Sequence, residues 1–208
     1  MWWTVSRSLL QPKSLCLYGN GDKSTGVSDF CRLKNIVPFS STSFHNLHTL
    51  EACGSDVLIS LLTPSTARTL GQLTWIEIYH CKRMTEIVAN EGSEAEAGDE
   101  IAFNNLKRLR LHFMPSLTTF HLGNRTIKFP SLEHVEVQNC PKLKIFYSGN
   151  LSMPKLAGFW MEGKQILKKE GDGDLDLNAT IKEYWEAKLE TCDQKFTEKV
   201  RCHAVVRY

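Results

Sequence analysis

The sequence predicts an α/β fold built from repeats, in which short strands stack in parallel into one sheet. The first observation behind this prediction is the spacing of apolar residues in the stretch 129–146, which fits neither an amphipathic helix nor a long alternating strand. The second is that the same spacing recurs along the chain. The third is the pair Asn139 and Cys140, which follows the strand-like part of the stretch at the point where the chain has to turn.

The clearest repeat places apolar residues at offsets of 0, +3, +5, +8, +11 and +14 from its first leucine. Those residues are Leu132, Val135, Val137, Cys140, Leu143 and Phe146. The other copies start at Leu47, Leu73, Leu106 and Leu156. The copy from Leu156 is the weakest, because it has Lys164 at +8 and Glu170 at +14. This spacing is typical of leucine-rich repeats, in which the L-x-L segment is a short strand.

The repeats predict one elongated domain over 44–170, because each copy packs only against its neighbours. The repeat units begin at Phe44, Leu70, Phe103, Phe129 and Met153. We expect a leucine-rich-repeat solenoid, a right-handed arc with a parallel sheet on its concave face and about five irregular repeats. Residues 1–43 form a poorly defined N-terminal segment. Residues 171–208 are expected to be a C-terminal capping helix and tail.

Two polar segments are predicted to be surface loops. Residues 14–18 are interpreted as one eroded strand, and the turn-rich segment 19–26, with three glycines, follows it. That segment is not a phosphate-binding loop, because Asp22 stands where the motif requires Gly before Lys. The stretch 91–100 holds five carboxylates and no bulky side chain, so we expect a flexible acidic loop, with a docking site for a basic partner as the alternative.

A helix is predicted near the C-terminus, from about Leu177 to Leu189. Its apolar residues fall on one face, and either Asp176 or Asn178 is placed to cap it. A terminal repeat needs something to cover its exposed core. We therefore expect this helix to be that cap.

Composition excludes several classes of function. The formal net charge of +2 is too small to indicate a nucleic-acid partner. No apolar run approaches the roughly 20 residues that span a bilayer. The seven cysteines are odd in number and contain no C-x-x-C pair, and Cys81 and Cys140 fall on the same repeat position, where packing explains them. A reducing cytoplasm therefore fits the chain best.

Residues at +2, +4 and +6 are expected to point away from the core and to form a binding face, since +3 and +5 point inward. Parallel stacking would align them in columns about 4.8 Å apart. The candidate binding residues are Trp75, Glu77, Tyr79, Arg108, Arg110, His112, His134, Glu136, Gln138 and Trp160. Trp, Tyr and Arg are enriched at binding hot spots. Arg125 and Lys144 are expected outside this face, on loops or the convex side.

Two other interpretations of the same residues remain open. Glu77, Arg110 and Glu136 sit on neighbouring strands and can simply neutralise one another, at about 0.2–1 kcal/mol per pair. His112 and His134 beside Glu136 suggest acid–base chemistry, but histidines on a binding surface are far commoner. No hydrolase, metalloprotease or cofactor motif is present, so we expect no catalytic, metal or cofactor site and no enzyme activity.

Four sequence features, together with the acidic insert, resemble a known family. They are F-P-S-L-E at 129–133, N-C-P-K-L at 139–143, M-T-E-I-V at 84–88 and D-L-N-A-T-I at 176–181. In these the chain resembles the C-terminal repeat region of plant intracellular disease-resistance proteins of the coiled-coil, nucleotide-binding, leucine-rich-repeat type. The resemblance covers about 44–190.

The resemblance implies a protein-recognition module of a cytoplasmic plant defence receptor. Its partners would be a protein ligand, either a pathogen effector or a guarded host protein, and the nucleotide-binding module of a parent receptor. No motif of that module is found here, so the chain is expected to be a fragment without a nucleotide cofactor. A secreted or cell-surface binding module is one alternative, which glycan at Asn124, Asn150 or Asn178 would favour. The substrate-recognition arm of a ubiquitin ligase is the other.

Overall fold

The structure, a computed structural model, describes residues 13–18, 45–90, 100–168 and 176–188. Within these ranges the chain forms twelve strands and two helices. The strands are β1 Ser14–Tyr18, β2 Thr49–Cys53, β3 Trp75–Tyr79, β4 Glu86–Val88, β5 Glu100–Ala102, β6 Arg108–His112, β7 Thr119–His121, β8 Thr126–Lys128, β9 His134–Gln138, β10 Leu151–Ser152, β11 Gly158–Met161 and β12 Lys164–Lys168. The helices are α1 Pro64–Thr69 and α2 at 177–188.

Seven strands form the main sheet, in the order β1-β2-β3-β6-β9-β11-β12. All neighbours are parallel except β11 and β12. The register is the one that the repeat offsets predict, since Trp75 pairs with Arg108 and Arg108 pairs with His134. The eroded strand at 14–18 is β1, which pairs with β2. The predicted mostly parallel sheet is therefore confirmed.

The core lies on one side of this sheet and consists of the inward repeat positions. The residues at +3 and +5 of the three clearest repeats are at most 1% exposed: Ile76, Ile78, Leu109, Leu111, Val135 and Val137. Cys81 and Cys140, at +8, are fully buried free thiols, as their shared repeat position predicted. Behind the strands, Phe103 stacks on Phe129 at a ring-centroid distance of 5.3 Å, and Phe120 on Phe146 at 5.4 Å.

In every repeat, the turn that follows the strand contains a residue with positive φ at position +7. These residues are Gly54, His80, Phe113, Asn139 and Gly163, with φ between 53° and 74°. Glycine and asparagine tolerate this left-handed conformation best, which explains the asparagine in the repeat signature. His80 and Phe113 adopt the same backbone although they are not glycine, because the turn geometry of the repeat requires it.

Two smaller parallel ladders join the repeats away from the main sheet. One pairs β4 with β7, and the other has the order β10-β8-β5. Their strands have two or three residues, too few for a period to be recognised in the sequence. Glu100, which the sequence placed in the acidic loop, belongs instead to β5, where its Oε2 lies 2.6 Å from Lys128 Nζ. The rest of that predicted loop, 91–99, lies outside the described residues.

The fifth repeat does not continue past its strand. After β11 the chain reverses at Glu162 and Gly163, both with positive φ, and β12 returns antiparallel. Consecutive left-handed residues suit a two-residue hairpin turn. Lys164 and Leu167, expected at +8 and +11 of the fifth repeat, therefore lie on the antiparallel strand β12. The hairpin partner leaves β11 paired on both sides, so β12, and not β11, ends the main sheet on this side.

Helix α2 occupies 177–188, as predicted, and Asp176 is its cap. The Asp176 Oδ1 accepts hydrogen bonds from Asn178 N at 2.9 Å and from Ala179 N at 3.0 Å. Its apolar residues Leu177 and Ile181 are buried. The helix is held on the fourth repeat, where Trp185 Nε1 donates to Leu143 O at 2.8 Å.

Helix α1 was not predicted from the sequence. Thr63 caps it, since its Oγ1 accepts from Thr66 N at 3.1 Å, and Pro64 occupies the first turn. Both residue types favour a helix start. With six residues, the helix is too short to show an apolar period.

Candidate binding face

The ten candidate residues lie on four adjacent strands of the main sheet, on the side away from the core. We call this surface the column face; it comprises Trp75, Glu77, Tyr79, Arg108, Arg110, His112, His134, Glu136, Gln138 and Trp160. Arg108 is exposed and the others are half-buried. Each alternates with a buried core residue, so the strand backbone holds these side chains in place.

An arginine pair flanks Trp75. The Arg108 guanidinium carbon lies 5.4 Å from the centroid of the Trp75 ring, and that of Arg110 lies 5.2 Å from it. These are cation–π distances. Because β3 and β6 are paired neighbours, the tryptophan and both arginines form one continuous patch.

Charged groups on the column face pair laterally. Arg110 Nη1 lies 3.8 Å from Glu77 Oε1, and Arg110 Nε lies 3.1 Å from Glu136 Oε2. His112 Nε2 lies 3.4 Å from Glu136 Oε1. Neutralisation across strands, one of the two interpretations of these residues, is therefore present. It stabilises the face by a fraction of a kcal/mol to about 1 kcal/mol per pair.

Trp160 and His134 form the other end of the column face. Their ring centroids are 5.3 Å apart. The Trp160 ring folds back over Gly158, so a side chain in place of the glycine hydrogen would require the ring to move. A depression of about 360 Å³ opens between these rings and β6, lined by Arg108, Leu109, Arg110, His134, Glu136, Trp160 and Gly163.

The described part of the chain places no three His, Cys, Asp or Glu side chains together as metal ligands. Glu136, the carboxylate beside His112 and His134, is engaged by Arg110. The geometry is that of an ion-pair network on a sheet surface.

A known protein family matches most of this chain. The family of plant disease resistance protein RPS2-like leucine-rich repeats matches residues 24–158, well over half of the chain. The chain belongs to this family. The match runs through the column face from β3 to the first residue of β11, and it stops before β12 and α2. A search of curated proteins found no match, and neither did a search of solved structures.

Among the described residues of this repeat chain, no helix is a candidate for spanning a membrane. Neither α1 nor α2 is long and apolar enough to cross a bilayer.

A second depression of this repeat chain was not predicted. It holds about 520 Å³ at the +7 end of the strands, and we call it the edge groove; it is lined by His80, Lys82, Phe113, Pro115, Asn139, Pro141, Glu162, Trp185 and Lys188. The rings of His80 and Phe113 stack there at 4.6 Å, only 8° from parallel. The sequence feature that could have indicated this groove is the presence of two rings, His80 and Phe113, at the +7 position, where the repeat signature has asparagine.

Arg125 and Lys144 lie on loops outside the column face, as expected, but both make contacts within the chain that complicate their use as controls. Arg125 is only 8% exposed, and its backbone oxygen accepts a hydrogen bond from the Tyr147 hydroxyl. Lys144 Nζ lies 3.9 Å from the centroid of the Trp185 ring. Lys142 and Lys155 are exposed as well and are the better control positions, because Lys144 rests against the Trp185 ring.

Proposed function

We propose that this chain is the protein-recognition module of a plant defence receptor and that it binds its partner through the column face. In this proposal the repeats form a right-handed solenoid arc, and the main sheet lines its concave side. The family match supports the defence role, and the parallel in-register strands support the arc.

The observation that carries the proposal is the patch of Trp75, Tyr79, Arg108 and Arg110 on the adjacent strands β3 and β6. Large aromatic and guanidinium groups supply most of the binding energy in protein interfaces. Here they project from strands whose inward residues are fully buried, so little side-chain or backbone ordering would oppose binding.

The proposed partner is a protein, either a pathogen effector or a guarded host protein, with the nucleotide-binding module of a parent receptor as a second contact. The chain would act in the cytoplasm and would catalyse no reaction. Buried, unbridged Cys81 and Cys140 support a reducing compartment. Of the three glycosylation-type triplets, the one at Asn178 is not available for a glycan, because its amide is occupied by hydrogen bonds to the backbone of Phe146 and Tyr147.

Alanine variants of the column face test this function. Trp75→Ala, Tyr79→Ala and Arg108→Ala should each weaken partner binding by about 1–3 kcal/mol and leave the free energy of unfolding within about 1 kcal/mol. Arg110→Ala should weaken binding as well, but it also leaves Glu77 and Glu136 without their cation, so its stability must be measured alongside.

The measurement compares proteins retained from leaf cytosol by each immobilised variant, with quantitation by mass spectrometry. Lys142→Ala and Lys155→Ala are the charge-removal controls, and both should retain the wild-type set. A partner that is lost with either control but kept by all the column-face variants would show that recognition occurs elsewhere.

A further inference from the structure

The two arginines of the column face are in different electrostatic situations. Arg110 is shared between the carboxylates of Glu77 and Glu136. Arg108 is exposed and rests against the Trp75 ring, and within the described ranges no carboxylate lies at ion-pair distance from it. One guanidinium is therefore neutralised inside the chain, while the other has its hydrogen-bond donors available to an incoming group.

The position of Arg108 favours an anionic ligand group. Its guanidinium borders the 360 Å³ depression, whose opposite wall is the His134 and Trp160 pair. A guanidinium backed by an aromatic ring is weakly hydrated and presents a planar fork that matches a carboxylate. The ring faces on either side offer apolar contact to whatever carries that carboxylate.

The neighbouring carboxylates limit where negative charge can bind. Glu77 and Glu136 lie on the strands either side of β6, so an acidic group placed over either carboxylate would approach a like charge. A ligand segment with one acidic residue beside an apolar ring avoids this repulsion, whereas a segment with a run of acidic residues does not.

We propose that Arg108 recognises the carboxylate of a single Asp or Glu side chain of the partner, next to an aromatic side chain that packs on Trp160 and His134. This inference rests on the proposed function, because it names the chemistry of the segment that the column face binds. Arg110 has a different role: it maintains the ion-pair network that shapes the depression.

Selection from a phage-displayed random peptide library tests the proposal directly. The immobilised wild-type chain should enrich peptides with one Asp or Glu within three residues of Trp, Tyr or Phe. For a synthetic peptide from this set, Arg108→Ala should raise the Kd at least tenfold, and replacing the peptide acid with its amide should do the same. Combining both changes should add little further loss, since each removes the same interaction.

The matched control is Lys107→Ala, which removes the same charge from an exposed neighbouring residue. It should change the Kd less than twofold. Arg108→Lys keeps the charge but not the planar fork, and it should fall between wild type and alanine. Thermal melting of Arg108→Ala, expected to match wild type, ensures that the loss is not one of folding.

The remaining outcomes separate the two proposals. Peptides that bind without an acidic residue, or that tolerate Arg108→Ala but not Trp75→Ala, would overturn the carboxylate assignment and leave the column face as the binding surface. Phosphotyrosine peptides that bind more than tenfold tighter than their Asp counterparts would also overturn it. The carboxylate assignment would also be overturned if the wild-type chain enriched no peptide beyond those that the Arg108→Ala chain enriches. Peptides that are lost with Phe113→Ala in the edge groove and kept by both column-face variants would overturn both proposals.

Discussion

The side chain of Asn178 hydrogen-bonds the backbone of Tyr147 in both directions. Its Oδ1 accepts from Tyr147 N at 3.2 Å and from Phe146 N at 2.8 Å, and its Nδ2 donates to Tyr147 O at 2.6 Å. One repeat earlier, Phe120 N donates to Phe146 O at 2.7 Å. The amide of Asn178 therefore takes the place that the next repeat's backbone would occupy, and it ends the ladder with its polar groups satisfied.

Asn178→Ala should destabilise the chain by about 1–3 kcal/mol, because it leaves Phe146 and Tyr147 backbone groups unpaired beneath the helix. Chemical denaturation followed by circular dichroism measures this. Glu183→Ala, an exposed change on the same helix, should stay within about 0.5 kcal/mol. Equal effects from the two variants would show that the amide is not what holds α2.

Val137→Asp should prevent the repeats from folding stably. Val137 is fully buried on β9, and an unpaired charge there costs several kcal/mol or more. Gln138→Asp, the next residue, points to the column face and should change the free energy of unfolding by only about 1 kcal/mol or less. A Val137→Asp chain with wild-type melting would contradict the assignment of the inward face.

Gly163→Ala tests the left-handed turn separately from packing. A Cβ on Gly163 would meet no atom within 4 Å, so only its φ of 74° opposes alanine, at about 1 kcal/mol. Gly71 also has open space around it and no left-handed φ, so Gly71→Ala should be neutral or slightly stabilising. The melting temperature should therefore fall for Gly163→Ala and not for Gly71→Ala. Equal shifts would rule out the left-handed backbone as the cause.

Two buried thiols predict a loss of stability at high pH. Burial raises the pKa of Cys81 and of Cys140 to about 11, so the folded chain holds these protons more tightly than the unfolded chain does. Their contribution is complete below about pH 8.5 and is lost as the pH rises towards 11, by on the order of 1 kcal/mol per thiol at pH 10. Denaturation at pH 8 and pH 10 should show a smaller drop for the double variant Cys81→Ala, Cys140→Ala than for wild type.

Deletion of 92–98 tests the sequence prediction for the acidic insert. Closing the loop with about seven fewer residues should alter stability by less than about 1 kcal/mol. The deletion keeps Glu100, whose carboxylate lies 2.6 Å from Lys128 Nζ in the β5–β8 ladder. A fall in melting temperature as large as that of a core variant would mean that the insert packs against the repeats.

The sequence by itself determined the stacked strands and the two sides of the main sheet. A strand residue points to one side or the other by alternation, so the offsets +3 and +5 were enough to identify the core and to place Trp75, Arg108 and His134 in one column. The helix α2 could also be predicted, because it has an apolar face and a capping aspartate. These features depend on local spacing, which a sequence states directly.

Only the tertiary structure decided which polar groups meet and where the repeats end. Side chains on neighbouring strands of the column face come from positions 24–33 residues apart, and the packed sheet decides that Arg110, and not Arg108, pairs with the carboxylates. The reversal at Gly163 and the docking of Asn178 likewise depend on contacts between distant segments. Periodicity reports which side of the backbone a residue occupies, whereas pairing depends on distances of a few ångströms that only the packed chain establishes.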